Sequence, residues 1–110
     1  MHVVVVGAGE VGSYVADRLS REGHDVAIVD LSSSKLRRLD DALDVLTVVG
    51  SGTHPETLSR AGIEHSELLV AVTANDEANL VASMVGKSMG VKQTICRIEA
   101  SGLRGPAAHA

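Results

Sequence analysis

Three glycines, Gly7, Gly9 and Gly12, follow four consecutive valines at the spacing G-x-G-x-x-G. Each suits contact with a phosphate chain. Gly7 can make a tight turn, Gly9 lets backbone approach a pyrophosphate, and Gly12 lets a following helix pack closely. Amides at the start of that helix, from about Val11 onward, would point at the anion. Asp30 lies eighteen residues beyond Gly12, near the spacing at which a carboxylate meets an adenosine ribose. Its charge would also repel a 2′-phosphate, which favours NAD over NADP.

Other chemistry has weaker support. "GKS" at Gly86–Ser88 resembles the end of a Walker A loop, but the first glycine that motif needs would stand at Val81. The five histidines are scattered with no i,i+4 pair, so no metal site is expected. Ser13 lacks the context of a nucleophile elbow, and Cys96 reads as a small buried hydrophobe. Asp40, Asp41 and Asp44 read as a solvated helix face.

The elements that must position these residues follow from the apolar pattern. His2–Val6 is a β-branched run, and Val11, Val15, Ala16 and Leu19 recur at helical spacing up to Gly23. "DVAIV" (Asp25–Val29) is a second strand. Ser32–Ser34 offer caps for a helix over Lys35–Leu43. Val45–Val49 is strand three. Gly50-Ser51-Gly52-Thr53 is a loop, in which Thr53 can cap a short helix with Pro55 in its first turn.

"LLVAV" (Leu68–Val72) is strand four. "TAND" (Thr73–Asp76) leads into a helix to about Met89, with Asn75 or Thr73 as its cap. Gln93–Ile98 is strand five, and residues 99–110 read as a loose tail. Solid apolar strands alternating with helices predict an α/β fold, a Rossmann-like doubly wound parallel sheet in a single domain over residues 1–98. In such a sheet the crevice lies between the loops after strands one and four. Thr73 and Asn75 would then face the glycine loop.

Composition narrows the classes further. Of 110 residues 45% are hydrophobic, with one Tyr and no Phe or Trp, so the core must be aliphatic. A net charge of −4 offers no field for nucleic acid. One cysteine and no leader-like N-terminus suit a cytoplasmic location. No second domain for a substrate is visible, so the chain reads as a cofactor site without a reaction, not an enzyme. The alternative is the cofactor domain of an NAD-dependent oxidoreductase that lacks its substrate domain. Leu80, Val81, Met84, Val85 and Met89 exceed one buried stripe, and part of that surface is expected to pair with a second copy.

The motifs "VVVVGAGEVGSYVADRLSREGHDVAIVD", "VVGSGTHPETLSRAGI" and "LLVAVTANDEANLVASMVGKSMGVKQTICRI" together resemble the N-terminal RCK/KTN domain of TrkA-type potassium-uptake regulators. The resemblance implies a regulatory domain that binds NAD or NADH, or AMP, ADP or ATP. It implies a homodimer, often built into rings, on the cytoplasmic face of a membrane potassium transporter or channel subunit. By position it assigns Gly7, Ala8, Gly9, Glu10, Val11 and Gly12 to the pyrophosphate and Asp30 to the ribose. Ser51 and Gly52 would flank the adenine, Thr73 and Ala74 would approach the second half of the ligand, and Arg97 would meet a phosphate or ribose. The family has Asp where this chain has Ser51. Glu10, where some ATP-binding relatives carry Arg, would repel a triphosphate.

Overall fold

The computed structural model describes residues 1–99. Five strands and four helices alternate along the chain: β1 (His2–Val6), α1 (Glu10–Arg21), β2 (Asp25–Asp30), α2 (Ser33–Ala42), β3 (Leu46–Val49), α3 (Pro55–Arg60), β4 (Leu68–Ala71), α4 (Asp76–Ser88) and β5 (Gln93–Cys96). A 3-10 turn at Ile63–His65 connects α3 to β4. All neighbouring strands are parallel, in the order β3-β2-β1-β4-β5. The order reverses beside β1, so the loops after β1 and β4 flank one crevice, as the sequence predicts.

Strand alternation divides the core into two layers. Val4, Val6, Ala27 and Val29 point to one face, where they pack with Leu58 of α3 and Ala82 of α4. Val3, Val5, Val26 and Ile28 point to the other, against Ala16 of α1 and Leu36 of α2. The four valines of β1 are therefore buried on both sides of the sheet. Each fully buried valine is worth roughly 1.5–3 kcal/mol of hydrophobic stabilisation, which makes β1 the rigid base of the loop that follows it.

The edge strands differ from the sequence reading. β3 begins at Leu46 and β5 ends at Cys96, both shorter than the apolar runs suggest. β5 alternates between exposed and half-buried residues and β3 buries only Val48, because each has only one neighbour and incomplete helix cover. Ile95 of β5 is 57% exposed for that reason. Cys96 packs on the α3–α4 layer as a small hydrophobe, but at the sheet edge it is half-buried rather than buried as the sequence suggests.

Two caps follow the sequence and one does not. Ser32 Oγ accepts from Lys35 N (3.3 Å), and Asn75 Oδ1 accepts from Ala78 N (2.8 Å). Thr53 does not cap α3. The helix starts at Pro55 with His54 at the cap, and the Thr53 hydroxyl instead bonds Ser51 Oγ at 2.7 Å. The expected tail lies outside the described residues apart from Glu99, whose N–H donates to Asp76 Oδ1 (3.0 Å).

Candidate functional site: a nucleotide crevice at the glycine loop

Gly7 ends β1 with φ +112°, a conformation that L side chains rarely adopt, and its N–H donates to Val29 O (2.8 Å). The chain thus turns sharply and enters α1 at Glu10. A Cβ on Gly12 would lie 1.7 Å from the Gly7 carbonyl oxygen and 3.5 Å from Val5 Cγ1. Gly12 therefore admits the glycine loop itself more than the sheet beneath, a sharper role than helix packing.

Gly9 is different. Its backbone is extended (φ −77°, ψ −162°), which any residue can adopt, and a Cβ there would meet no atom within 4 Å. Nothing in the fold of the described residues requires this glycine. A ligand lying against the backbone would.

Asp30 is the hinge of the site. Its Oδ1 accepts from Ala8 N (2.8 Å) and its Oδ2 from Ser32 N (2.8 Å). The carboxylate thereby ties the glycine loop to the β2–α2 turn. Each oxygen keeps a lone pair for a further donor, such as a ribose hydroxyl.

Two concavities meet at this residue. The first, about 230 Å³, is lined by Asp30, Leu31, Ser51, Gly52, Thr73 and Asn75, with Val6 and Val29 at its base. Mostly apolar walls with a few polar groups suit a heterocyclic base and its sugar. The second, about 500 Å³, lies on the outer side of the glycine loop and is lined by Ala8, Gly9, Glu10, Ser13, Lys35 and Arg38.

The structure thus brings Asp30, Ser51, Gly52 and Thr73 together in one concavity and Ala8, Gly9 and Glu10 in the other, with Gly7 and Gly12 shaping the loop between them. Val11 and Ala74 are exposed and line neither. Arg97 follows β5 and pairs with Glu99 (2.7 Å). Gly52 has its own reason to be glycine: a Cβ there would stand 2.3 Å from Val6 Cγ1.

Four residues of the site escaped the sequence reading. Asn79 is fully buried and uses all its hydrogen-bonding groups around one loop. Its Oδ1 accepts from Thr73 N (2.9 Å) and Thr73 Oγ1 (2.7 Å), while its Nδ2 donates to Thr73 O (3.0 Å) and Arg97 O (2.9 Å). It clamps the loop after β4 to the end of β5. The signal was available: Asn79, Ala82 and Gly86 fall on one helical stripe, and that stripe is buried. Leu31, 75% exposed at the rim, and the cations Lys35 and Arg38 emerge only once α2 is placed beside the glycine loop.

Comparison with known proteins decides the family. The TrkA-N domain family matches residues 3–103. The chain belongs to the TrkA-N domain family. It is 50% identical over 101 residues to the Trk system potassium uptake protein TrkA of Azorhizobium caulinodans, covering 91% of this chain and 22% of that protein. It is 38% identical over 99 residues to TrkA of Streptomyces coelicolor, covering 89% and 44%. The TrkA-N chain thus spans between about a fifth and just under half of these relatives. In fold it resembles the Kef CTD of Shewanella denitrificans in its AMP-bound form (TM-score 0.75, 22% identity, 88% of this chain and 58% of that one). It also resembles the GsuK channel bound to NAD (TM-score 0.74, 16% identity, 99% and 20%). TrkA-N domains are regulatory, non-catalytic nucleotide-binding modules, which sets aside the oxidoreductase alternative. Among the described residues no helix is long and apolar enough to cross a membrane.

Proposed function

We propose that this TrkA-N domain binds NAD or NADH as a regulatory ligand and relays its occupancy to a membrane potassium transporter or channel. The observation that carries the ligand reading is Gly9, a glycine with ordinary backbone angles and open space around it, beside Asp30, whose carboxylate joins the loop to an apolar concavity. The adenosine would lie over Leu31 and Gly50–Thr53 with its ribose at Asp30, the pyrophosphate at Ala8–Val11 and the second half toward Thr73 and Ala74. The potassium link comes from the TrkA relatives, and the ligand class is that of the AMP-bound and NAD-bound structural neighbours.

Calorimetric titration with NAD⁺, NADH, AMP, ADP and ATP tests the reading. NADH or NAD⁺ should bind more tightly than ATP, because the Glu10 carboxylate stands in the wall of the phosphate track, where a triphosphate brings more negative charge than a diphosphate. Binding of ATP tenfold tighter than NADH without Mg²⁺ contradicts the preference. No binding by any of the five at millimolar concentration contradicts the function.

The partner surface for a second copy is the outer side of α4. Of the five residues singled out there, Leu80, Val81 and Met84 are exposed, Met84 by 70%. Val85 and Met89 turn inward onto the core. Met84 also shares a shallow concavity with Ser83, Lys87 and Thr94 at the sheet edge. Light scattering should give a dimer for the native chain and a monomer for Met84→Asp, whose exposed position leaves folding intact. A native chain that stays monomeric at high concentration, with and without nucleotide, removes this surface as a homodimer interface.

A further inference from the structure

Two hydroxyls line the first concavity from the loop after β3, and the direction of the hydrogen bond between them is free. Ser51 and Thr53 stand on either side of Gly52, and both are half-buried. Ser51 Oγ and Thr53 Oγ1 are 2.7 Å apart, and either can donate to the other. Ser51 Oγ also accepts from Thr53 N (3.2 Å). The loop that carries them is held on three sides. Gly50 N–H donates to Asp30 O (2.9 Å), Arg60 Nη2 donates to Val49 O (3.0 Å), and Gly52 lies against Val6 with no room for a Cβ. The two oxygens are therefore fixed while their protons can rotate.

The other polar side chains of this hollow lack that freedom. Both oxygens of Asp30 accept only, and each already takes a backbone N–H. The Thr73 hydroxyl donates to Asn79 Oδ1 (2.7 Å) and accepts from Asn75 N (3.1 Å). Asn75 Oδ1 accepts from Ala78 N (2.8 Å), which fixes the orientation of its amide.

Each direction of the hydroxyl pair leaves a different pattern open to a ligand. When Ser51 donates to Thr53, the Thr53 proton is free, so Thr53 offers a donor and Ser51 an acceptor. When Thr53 donates to Ser51, Ser51 Oγ already accepts twice and its own proton is free, so Ser51 offers the donor and Thr53 the acceptor. The pairing edges of two purines are related in the same way. Adenine sets an amino donor at N6 beside an acceptor at N1. Hypoxanthine sets an acceptor at O6 beside a donor at N1. Reversing the hydroxyl pair turns the complement of one edge into the complement of the other.

We propose that the Ser51–Thr53 pair reads the base and admits both patterns, so that the site takes 6-oxopurine nucleotides, those of inosine first, as well as adenine nucleotides. This rests on the reading that places the base over Gly50–Thr53. An acceptor-only side chain at position 51 would hold the Thr53 proton, leave only acceptors toward the base, and select the 6-amino purine.

The test compares AMP with IMP, which differ at that edge and carry the same ribose and phosphate. Both are titrated by calorimetry into the native chain, Ser51→Asp and Thr53→Val, with NADH as reference and circular dichroism to check each fold. The native chain should bind AMP and IMP within about threefold of each other, whereas a mismatched edge costs about tenfold. Ser51→Asp should prefer AMP at least tenfold. Thr53→Val keeps the shape of the side chain and should weaken both ligands by about threefold, one ordinary hydrogen bond. A native chain that binds AMP at least tenfold tighter than IMP overturns the proposal and leaves the nucleotide reading intact. So does a Thr53→Val chain with native affinity for both, because the hydroxyls then do not meet the base. A folded Ser51→Asp chain that still binds the two equally overturns it as well. If Ser51→Asp does not fold, the native ratio and Thr53→Val decide. If AMP, IMP and NADH all fail to bind, the nucleotide reading falls and the base selectivity with it.

Discussion

Gly12→Ala is expected to cost the domain at least about 3 kcal/mol, at or beyond the upper end for overpacking a well-packed site. The added Cβ would lie 1.7 Å from the Gly7 carbonyl oxygen and 2.8 Å from its carbon. Both are backbone atoms, so no side chain can rotate away. Gly7 has little room to retreat, because even one added carbon on it would meet Thr73 N and Val72 C at 3.0 Å, and its N–H is bonded to Val29 O. Either α1 lifts from the sheet or the glycine loop opens. A loss of 3 kcal/mol corresponds to a fall in Tm of roughly 12–24 °C for a chain of this size. Gly9→Ala is the partner experiment. Its Cβ enters open space from an ordinary backbone conformation, so Tm should stay within about 3 °C of native. Its nucleotide affinity should nevertheless fall at least tenfold, because the methyl stands where the phosphates approach. A Gly12→Ala chain as stable as the native one contradicts the account of the turn.

The second large effect is expected at Asn79. Asn79→Leu keeps the branched outline and the number of side-chain heavy atoms but leaves Thr73 N–H, Thr73 C=O and Arg97 C=O without the partner they have in the native chain. Leaving such groups unsatisfied costs about 1–3 kcal/mol apiece where water cannot reach them. Thr73 is half-buried and recovers part of the loss, so a net cost of about 3 kcal/mol is expected. Urea denaturation followed by circular dichroism measures it. The substitution should also weaken NADH binding, because the Thr73 loop forms one wall of the concavity. A variant with native stability would mean that the amide contributes little and the loop is held by Asn75 and the strand ends.

Much of this was legible in the chain because the governing patterns are local. The β-branched run of β1, the glycine spacing and the acid closing β2 define one βαβ unit, and the unit fixes the crevice. Asp30 illustrates the limit. Its spacing marks it as a ribose residue, yet nothing in the spacing says that its two oxygens first bind Ala8 and Ser32. Lys35 and Arg38 were less accessible still. On α2 they read as surface charge, and only the rotation of that helix against β1 and β2 turns them toward the glycine loop. Thr53 shows the converse failure. A capping residue in the right place lost its role because a nearer hydroxyl, Ser51, was a better partner than a helix that begins one residue later. Asn79 was overlooked because a polar residue in a helix is read as solvent-facing until the buried stripe is drawn through it.

The central claim is that a nucleotide lies between the glycine loop, Asp30 and the loop after β4. The most direct measurement is the NADH titration followed residue by residue through backbone amide chemical shifts. The account predicts the largest shifts at Ala8, Gly9, Glu10, Ser32, Ser51, Gly52 and Thr73, with the opposite end of the sheet, His24 and Asp44 included, unmoved. Shifts confined to the His24–Asp44 end, or none at saturating NADH, would contradict it.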